Sequence, residues 1–442
     1  MEACVQPSSP LYRAAWRWHL YAGLIVLPVL LWLAATGALY LYKPEIERFV
    51  YRDWSKVAVS GEVQPVSRLI TAVERQSGAT VKQVMRPAAP DEGWRMALAM
   101  PDGGRRLAFV DPYRAILLGS ASGGGIMATV RDLHSLAITG PVGNALVEIV
   151  AGWAIVLVVT GLILWWPRSG SPVVGVRGKP KGRLFWRDLH ASTGLVAAAI
   201  ILFLAATGMP WTVFAGAKLN TWVAANGLGR PERPGPKAAS AHDEHEGHGA
   251  KESLPWSMQS ASPPVARESV QRITPDLAIA RAEWSGLSAP WTLTLPGKPG
   301  APYLVSRAIV RADDAHAVYI DAGTGQVLQD ARYAQFGGGA RAIEWGIATH
   351  QGQQYGGPNR LLMLFGCVAI WALGITGPVL WWKRRRAGRL REPPRTDPRR
   401  ERGLAAAMLL LAVALPLTGL TMLAALIGEA GSRIFTARER HS

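Results

Sequence analysis

Five apolar blocks, residues 20–42, 149–166, 193–211, 361–382 and 404–427, interrupt a chain of 442 residues. Each supplies roughly the 17 to 25 residues that a helix needs to cross the hydrocarbon core of a bilayer. Such segments must bond their backbone groups internally, so they can only be helices here. Pro28, Pro210, Pro378 and Pro416 fall within or beside these blocks. Neighbouring helices in a membrane bundle can resupply the hydrogen bonds that prolines remove. The sequence therefore predicts an α-helical membrane protein with five transmembrane helices, over 1–43, 141–167, 189–211, 358–383 and 403–428.

The spans are not independent of one another. His19 stands 17 residues before Thr36 in Leu33-Ala34-Ala35-Thr36-Gly37, and His190 stands 17 before Thr207 in Leu204-Ala205-Ala206-Thr207-Gly208. His134 stands 26 before Thr160 and 31 before Trp165-Trp166, and His350 stands 26 before Thr376 and 31 before Trp381-Trp382. The chain reads as a duplicated two-span unit followed by one extra helix. The histidines are repeated with the unit.

A net charge of +17 raises the question of nucleic acid, and its distribution answers it. Much of the charge lies in two short loops, 168–188 and 384–402. Positive charge beside spans marks the cytoplasmic side, so these clusters need no polyanionic partner other than the lipid surface. With Arg13 and Arg17 ahead of the first span, the expected topology has the N-terminus inside, segments 44–140 and 212–357 outside, and the tail 429–442 outside. The first block has neither the length nor the cleavage site of a signal peptide and is expected to be retained. Cys4 falls on the expected inner side and Cys367 within the fourth span, so no disulfide is expected.

Both outer segments carry the same order of elements. Residues 66–77 have helical periodicity, followed by strand patterns over 81–85, 94–100 and 106–110 and a closing stretch Asp111-Pro112-Tyr113-Arg114-Ala115-Ile116-Leu117. In the second segment 276–285 is helical, 291–295, 303–310 and 317–320 are strand-like, and Asp321-Ala322-Gly323-Thr324-Gly325-Gln326-Val327-Leu328 closes the unit. Each segment reads as a small α+β module. Residues 229–269 form a Pro-, Ala-, Ser- and charge-rich linker, expected to be disordered.

The motifs Trp16-Arg17-Trp18-His19 with Gly23, Leu189-His190 with Gly194, Thr160-Gly161-Leu162-Ile163-Leu164-Trp165-Trp166-Pro167 and Thr376-Gly377-Pro378-Val379-Leu380-Trp381-Trp382-Lys383 occur in that setting. In this order they resemble the PepSY-associated transmembrane family of bacterial inner-membrane proteins. The resemblance covers nearly the whole chain. Members include iron-regulated membrane proteins and haem-containing ferric-siderophore reductases, so it implies an inner-membrane location and that activity. The first module departs from the family pattern at Tyr113-Arg114-Ala115, where a Thr-Gly turn is usual.

A lone histidine at a span end is ordinarily an interface residue with its polar tip in water. Four at two fixed spacings ask for another account. An electron can cross hydrocarbon only through a redox centre, and no Cys-x-x-Cys-His occurs, so two non-covalent b-type haems are expected. A repeat axis along the membrane normal pairs His19 with His190 near the inner face and His134 with His350 near the outer face. Arg17, Arg131 and Arg187 are candidate partners for haem propionates, because guanidinium is planar and always charged. Asp132 and Asp188 are candidates to orient the neighbouring histidines. Glu148, near the outer mouth of span two, reads as a helix-start charge, with a proton-linked role as the alternative. His242, His245 and His248 form a His-x-x-His-x-x-His stretch that could hold a divalent metal, with a solvated His-rich linker as the preferred reading.

The expected function is a haem-dependent reductase that passes electrons to a ferric siderophore or another periplasmic acceptor. Gly123-Gly124-Gly125 and Gly337-Gly338-Gly339 lack the βαβ context of a nucleotide site. The electron donor is therefore expected to be a quinol or a separate reductase. The alternative is a non-enzymatic anchor whose outer modules bind a peptide, protease or metal ligand.

Overall fold

The computed structural model describes residues 10–165, 174–229, 256–259, 263–266, 271–383, 409–425 and 427. The helices that matter below are α1 (Pro10–Tyr40), α2 (Val66–Ser77), α3 (Ile126–His134), α4 (Pro141–Trp165), α5 (Arg183–Gly208), α6 (Ala215–Ala225), α7 (Pro275–Trp284), α8 (Gly338–His350) and α9 (Gly357–Trp382). The chain divides into two compact units, one from Met1–Ala38, Leu133–Leu219 and Arg360–Ser442, the other from Leu39–Asp132 and Asn220–Asn359.

The first unit holds the apolar helices. Among the described residues four are long and apolar enough to cross a membrane, Trp18–Tyr40, Pro141–Trp165, Arg183–Trp211 and Gly357–Trp382. The fifth expected span is described from residue 409 onward, where a helix over 409–414 breaks at Leu415 and resumes as Pro416–Ala425. Proline suits the first position of a helix, where its missing N–H has no partner to lose.

Close packing of these helices rests on small residues. A Cβ on Gly374 would lie 2.6 Å from Leu31 Cδ2, and one on Gly152 would lie 2.0 Å from Thr418 Oγ1. Glycine is what lets α9 meet α1 and α4 meet the 416–425 helix at backbone range. Ala22, Val26, Val150, Trp153, Val156 and Met422 form one buried cluster, with Trp18 stacked on Trp153 at 5.8 Å between ring centres. Trp153 Nε1 donates to Thr421 Oγ1 at 2.9 Å.

The second unit is built on one sheet of eight antiparallel strands. They are β1 (Thr80–Arg86), β2 (Trp94–Ala99), β3 (Arg105–Asp111), β4 (Ile116–Ser122), β5 (Trp291–Thr294), β6 (Tyr303–Arg307), β7 (His316–Ile320) and β8 (Val327–Arg332), in the order β4-β3-β2-β1-β5-β6-β7-β8. The two expected α+β modules are therefore halves of a single sheet, joined where Gln83–Arg86 pairs with Trp291–Thr294. The correction has a plain cause. In separate modules β1 and β5 would each expose a row of unpaired backbone groups, and pairing them removes both edges. Periodicity within one strand carries no information about its neighbour.

α2 and α7 cover one face of the sheet. Leu69, Val73, Val84, Met96, Leu293, Val305 and Ile320 bury their side chains between the layers. The two helices also share a cap, since the Asp276 carboxylate of α7 accepts from Val66 N at 2.6 Å and Ser67 N at 3.2 Å. An anion there satisfies N–H groups at the start of α2 that have no partner within the helix.

The closing turns of the two halves match despite their different sequences. Asp111 Oδ1 accepts from Tyr113 N and Arg114 N, and Asp321 Oδ1 accepts from Gly323 N and Thr324 N. Gly325 takes φ +76°, and Ala115 takes φ +56° at the equivalent place. The departure from the family pattern thus leaves the turn intact and puts an alanine in the left-handed region.

Candidate functional site

The repeated histidines do not stand free at the span ends. His19 on α1 reaches across to α4, where its Nδ1 lies 3.1 Å from Thr160 Oγ1. His134, the last residue of α3, makes the reciprocal contact, with Nδ1 2.9 Å from Thr36 Oγ1 on α1. In the second repeat His190 on α5 places Nδ1 2.8 Å from Thr376 Oγ1 on α9. Three of the threonines that mark the repeat in the sequence, Thr160, Thr36 and Thr376, are thus partners of histidines on another helix of the same repeat.

The glycines after Thr160 and Thr36 make room for the ring. A Cβ on Gly161 would lie 3.2 Å from His19 Cε1, and one on Gly37 would lie 3.2 Å from His134 Cε1. At Gly377 the corresponding distance to His190 Cε1 is 3.8 Å, an ordinary contact. The Thr-Gly pair is a seat for an imidazole, with the hydroxyl fixing one nitrogen and the bare Cα admitting the ring edge.

His19 and His190 come together. Their ring centres are 6.1 Å apart and their planes are perpendicular. Two imidazoles that each give one nitrogen to the same metal at about 2 Å from opposite sides place their ring centres roughly 6 Å apart. Among the described residues no group of three or more His, Cys, Asp or Glu side chains could hold a metal ion. A facing pair of imidazoles fits a metal whose other ligands belong to a macrocycle. The residues present therefore fit a haem, which His19 and His190 would hold.

His350 is the last residue of α8 and belongs to the other unit. The chain after it turns at once, with Gln354 Oε1 accepting from Ala312 N at 2.8 Å.

The acidic neighbours of the histidines are paired with arginines. Asp188 is buried and takes both Arg177, at 2.7 Å, and Arg187, at 2.7 Å. Asp132 pairs with Arg131 at 2.8 Å. Among the described residues neither carboxylate is hydrogen-bonded to its histidine, because residues two apart on a helix do not face each other. Arg131 and Arg187 hold these carboxylates. Arg17 lies on α1, but its side chain falls outside the described set, as do His242, His245 and His248.

Glu148 is 1% exposed on α4, and its Oε2 accepts from Phe214 N at 3.0 Å and Ala215 N at 3.2 Å. It caps the start of α6 and not of its own helix, a role that sequence distance concealed.

A family model for the PepSY-associated TM region matches residues 16–384. The chain belongs to this family. The PepSY-associated match spans the four long apolar helices together with both halves of the sheet, so the protein is a multi-pass membrane protein. No curated protein matches the chain.

Proposed function

We propose that this PepSY-associated protein is a di-haem b-type oxidoreductase of a bacterial inner membrane that delivers electrons to a ferric siderophore on the outer side. The observation that carries the reading is the His19–His190 pair, 6.1 Å apart with each Nδ1 held by a threonine. His19 and His190 would hold one haem, and His134, with its repeat counterpart His350, the second. Bound haem supplies reversible one-electron chemistry within the hydrocarbon. The basic loops 168–188 and 384–402 face the cytoplasm in this reading, which puts the sheet outside.

Reduction suits the chemistry of the acceptor. Hard oxygen ligands hold Fe(III) tightly and Fe(II) far less tightly, so one electron releases the metal. The chain's own part is to hold the cofactors, exclude water and present the outer one to the acceptor. The donor in this reading is a quinol or a separate reductase.

Stopped-flow mixing of dithionite-reduced protein with several ferric chelates too polar to enter the bilayer tests the proposal. Reoxidation faster than that of free haem in detergent, slowed by His134→Ala, is the expected result. Chelates that reoxidise the protein no faster than free haem would exclude the reductase function.

A further inference from the structure

A threonine hydroxyl carries one proton, and the structure shows where each is spent. Thr36 Oγ1 donates to Trp32 O at 2.8 Å, Thr160 Oγ1 to Val156 O at 2.7 Å and Thr376 Oγ1 to Ala372 O at 2.8 Å. Each acceptor is the carbonyl four residues back on the threonine's own helix, a bond that such residues commonly make in apolar helices. The hydroxyl therefore turns only a lone pair toward the histidine. A neutral imidazole has one N–H and one bare nitrogen. Facing an acceptor, Nδ1 must carry the proton, and Nε2 is left bare.

We propose that Thr36, Thr160 and Thr376 are positioning residues that lock His134, His19 and His190 in the tautomer with Nε2 free to ligate haem iron. The inference rests on the haem reading and adds the groups that set the ligands' tautomer, orientation and electron donation. A hydrogen bond from the distal nitrogen makes an imidazole more basic and a better ligand for the oxidised metal. Losing the acceptor should then weaken ligation and raise the midpoint potential of the centre concerned. Thr207 spends its proton in the same way, donating to Phe203 O at 2.6 Å, so the fourth threonine of the repeat carries the same polarity.

The carboxylates beside the histidines are already taken by arginines and do not compete with the threonine hydroxyls that meet Nδ1, and the Leu157 and Leu33 carbonyls, one turn before Thr160 and Thr36, also accept from His19 and His134. A seat of this kind also suits its surroundings. A carboxylate in the same place would bring a buried charge into the bilayer, whereas a hydroxyl satisfied by its own helix brings none.

The experiment compares the purified full-length protein with Thr160→Val, Thr160→Ser and Thr36→Val by redox titration and by the rate of haem transfer to an excess of a haem scavenger. Valine keeps the shape and removes the acceptor, and serine restores it. Thr160→Val should raise the midpoint of the His19–His190 centre alone and speed its haem loss by roughly ten-fold or more, Thr36→Val should do the same to the other centre alone, and Thr160→Ser should behave as wild type. A Thr160→Val protein with wild-type midpoint and haem retention would overturn the positioning role while leaving the histidine ligands standing, and so would a shift of both centres by either valine. A wild-type protein that carries no haem would remove the haem reading itself.

Discussion

At the scale of single residues, two positions show how tightly the backbone constrains the side chain. Ala115 and Gly325 occupy equivalent turns at φ +56° and φ +76°. A side chain in the left-handed region costs roughly 1 to 2 kcal/mol, partly offset by the greater chain entropy that glycine gives up on folding. Ala115→Gly should therefore stabilise the protein by about 0.5 to 1 kcal/mol, and Gly325→Ala should destabilise it by a similar amount. Thermal unfolding followed by tryptophan emission gives both signs, and a fall in melting temperature for Ala115→Gly would refute the equivalence of the turns. The histidines themselves were legible in the sequence from their spacing. Their threonine partners were visible too, though only as distance markers, because a hydrogen bond between two helices leaves no periodic signal. The four Thr-Gly steps, each at a fixed remove from a histidine, were the signal that pointed to them.

Among the elements, the helices and strands fall close to their expected positions, and their partners do not. The helix over Val66–Ser77 matches its hydrophobic periodicity residue for residue, with Gly78 ending it at φ +66°. The β1–β5 junction was illegible, because Val84 and Leu293 read as core residues whichever sheet receives them. The far edge of the same sheet supplies a test. Asp330 on β8 accepts from His316 Nε2 at 2.8 Å and pairs with Arg332 at 2.8 Å, and Arg332 also donates to the Ser285 carbonyl beyond α7. Burial pushes the Asp330 carboxyl up, but the bonds from Arg332 and His316 outweigh it and hold the group below its ordinary range. A folded pKa below the unfolded one means that the stabilisation is complete above about pH 4 and is lost as the pH falls through the folded value. Asp330→Asn should lower the melting temperature at pH 7 by the equivalent of under about 1 kcal/mol, given the pair's exposure to solvent. The gap to wild type should close on acidification. A gap that widens as the pH falls would show that the network is not held by the ionised carboxylate.

For the whole molecule, duplication is the organising fact. Each repeat contributes two long apolar helices and half a sheet, and the histidine seats recur with them. The four long apolar helices and the repeat were plain in the sequence, since both are written in hydropathy and spacing. The closure of two modules into one sheet was not, since it depends on edges meeting in space. The account's central claim is that paired repeat histidines hold haem, and the most direct measurement is the visible spectrum and haem content of the purified protein, oxidised and then reduced with dithionite. Wild type should carry two low-spin b-type haems per chain, and His19→Ala and His190→Ala should each lose the same one. A purified protein without haem absorption, or a His19→Ala variant that loses one haem while His190→Ala loses the other, would contradict it.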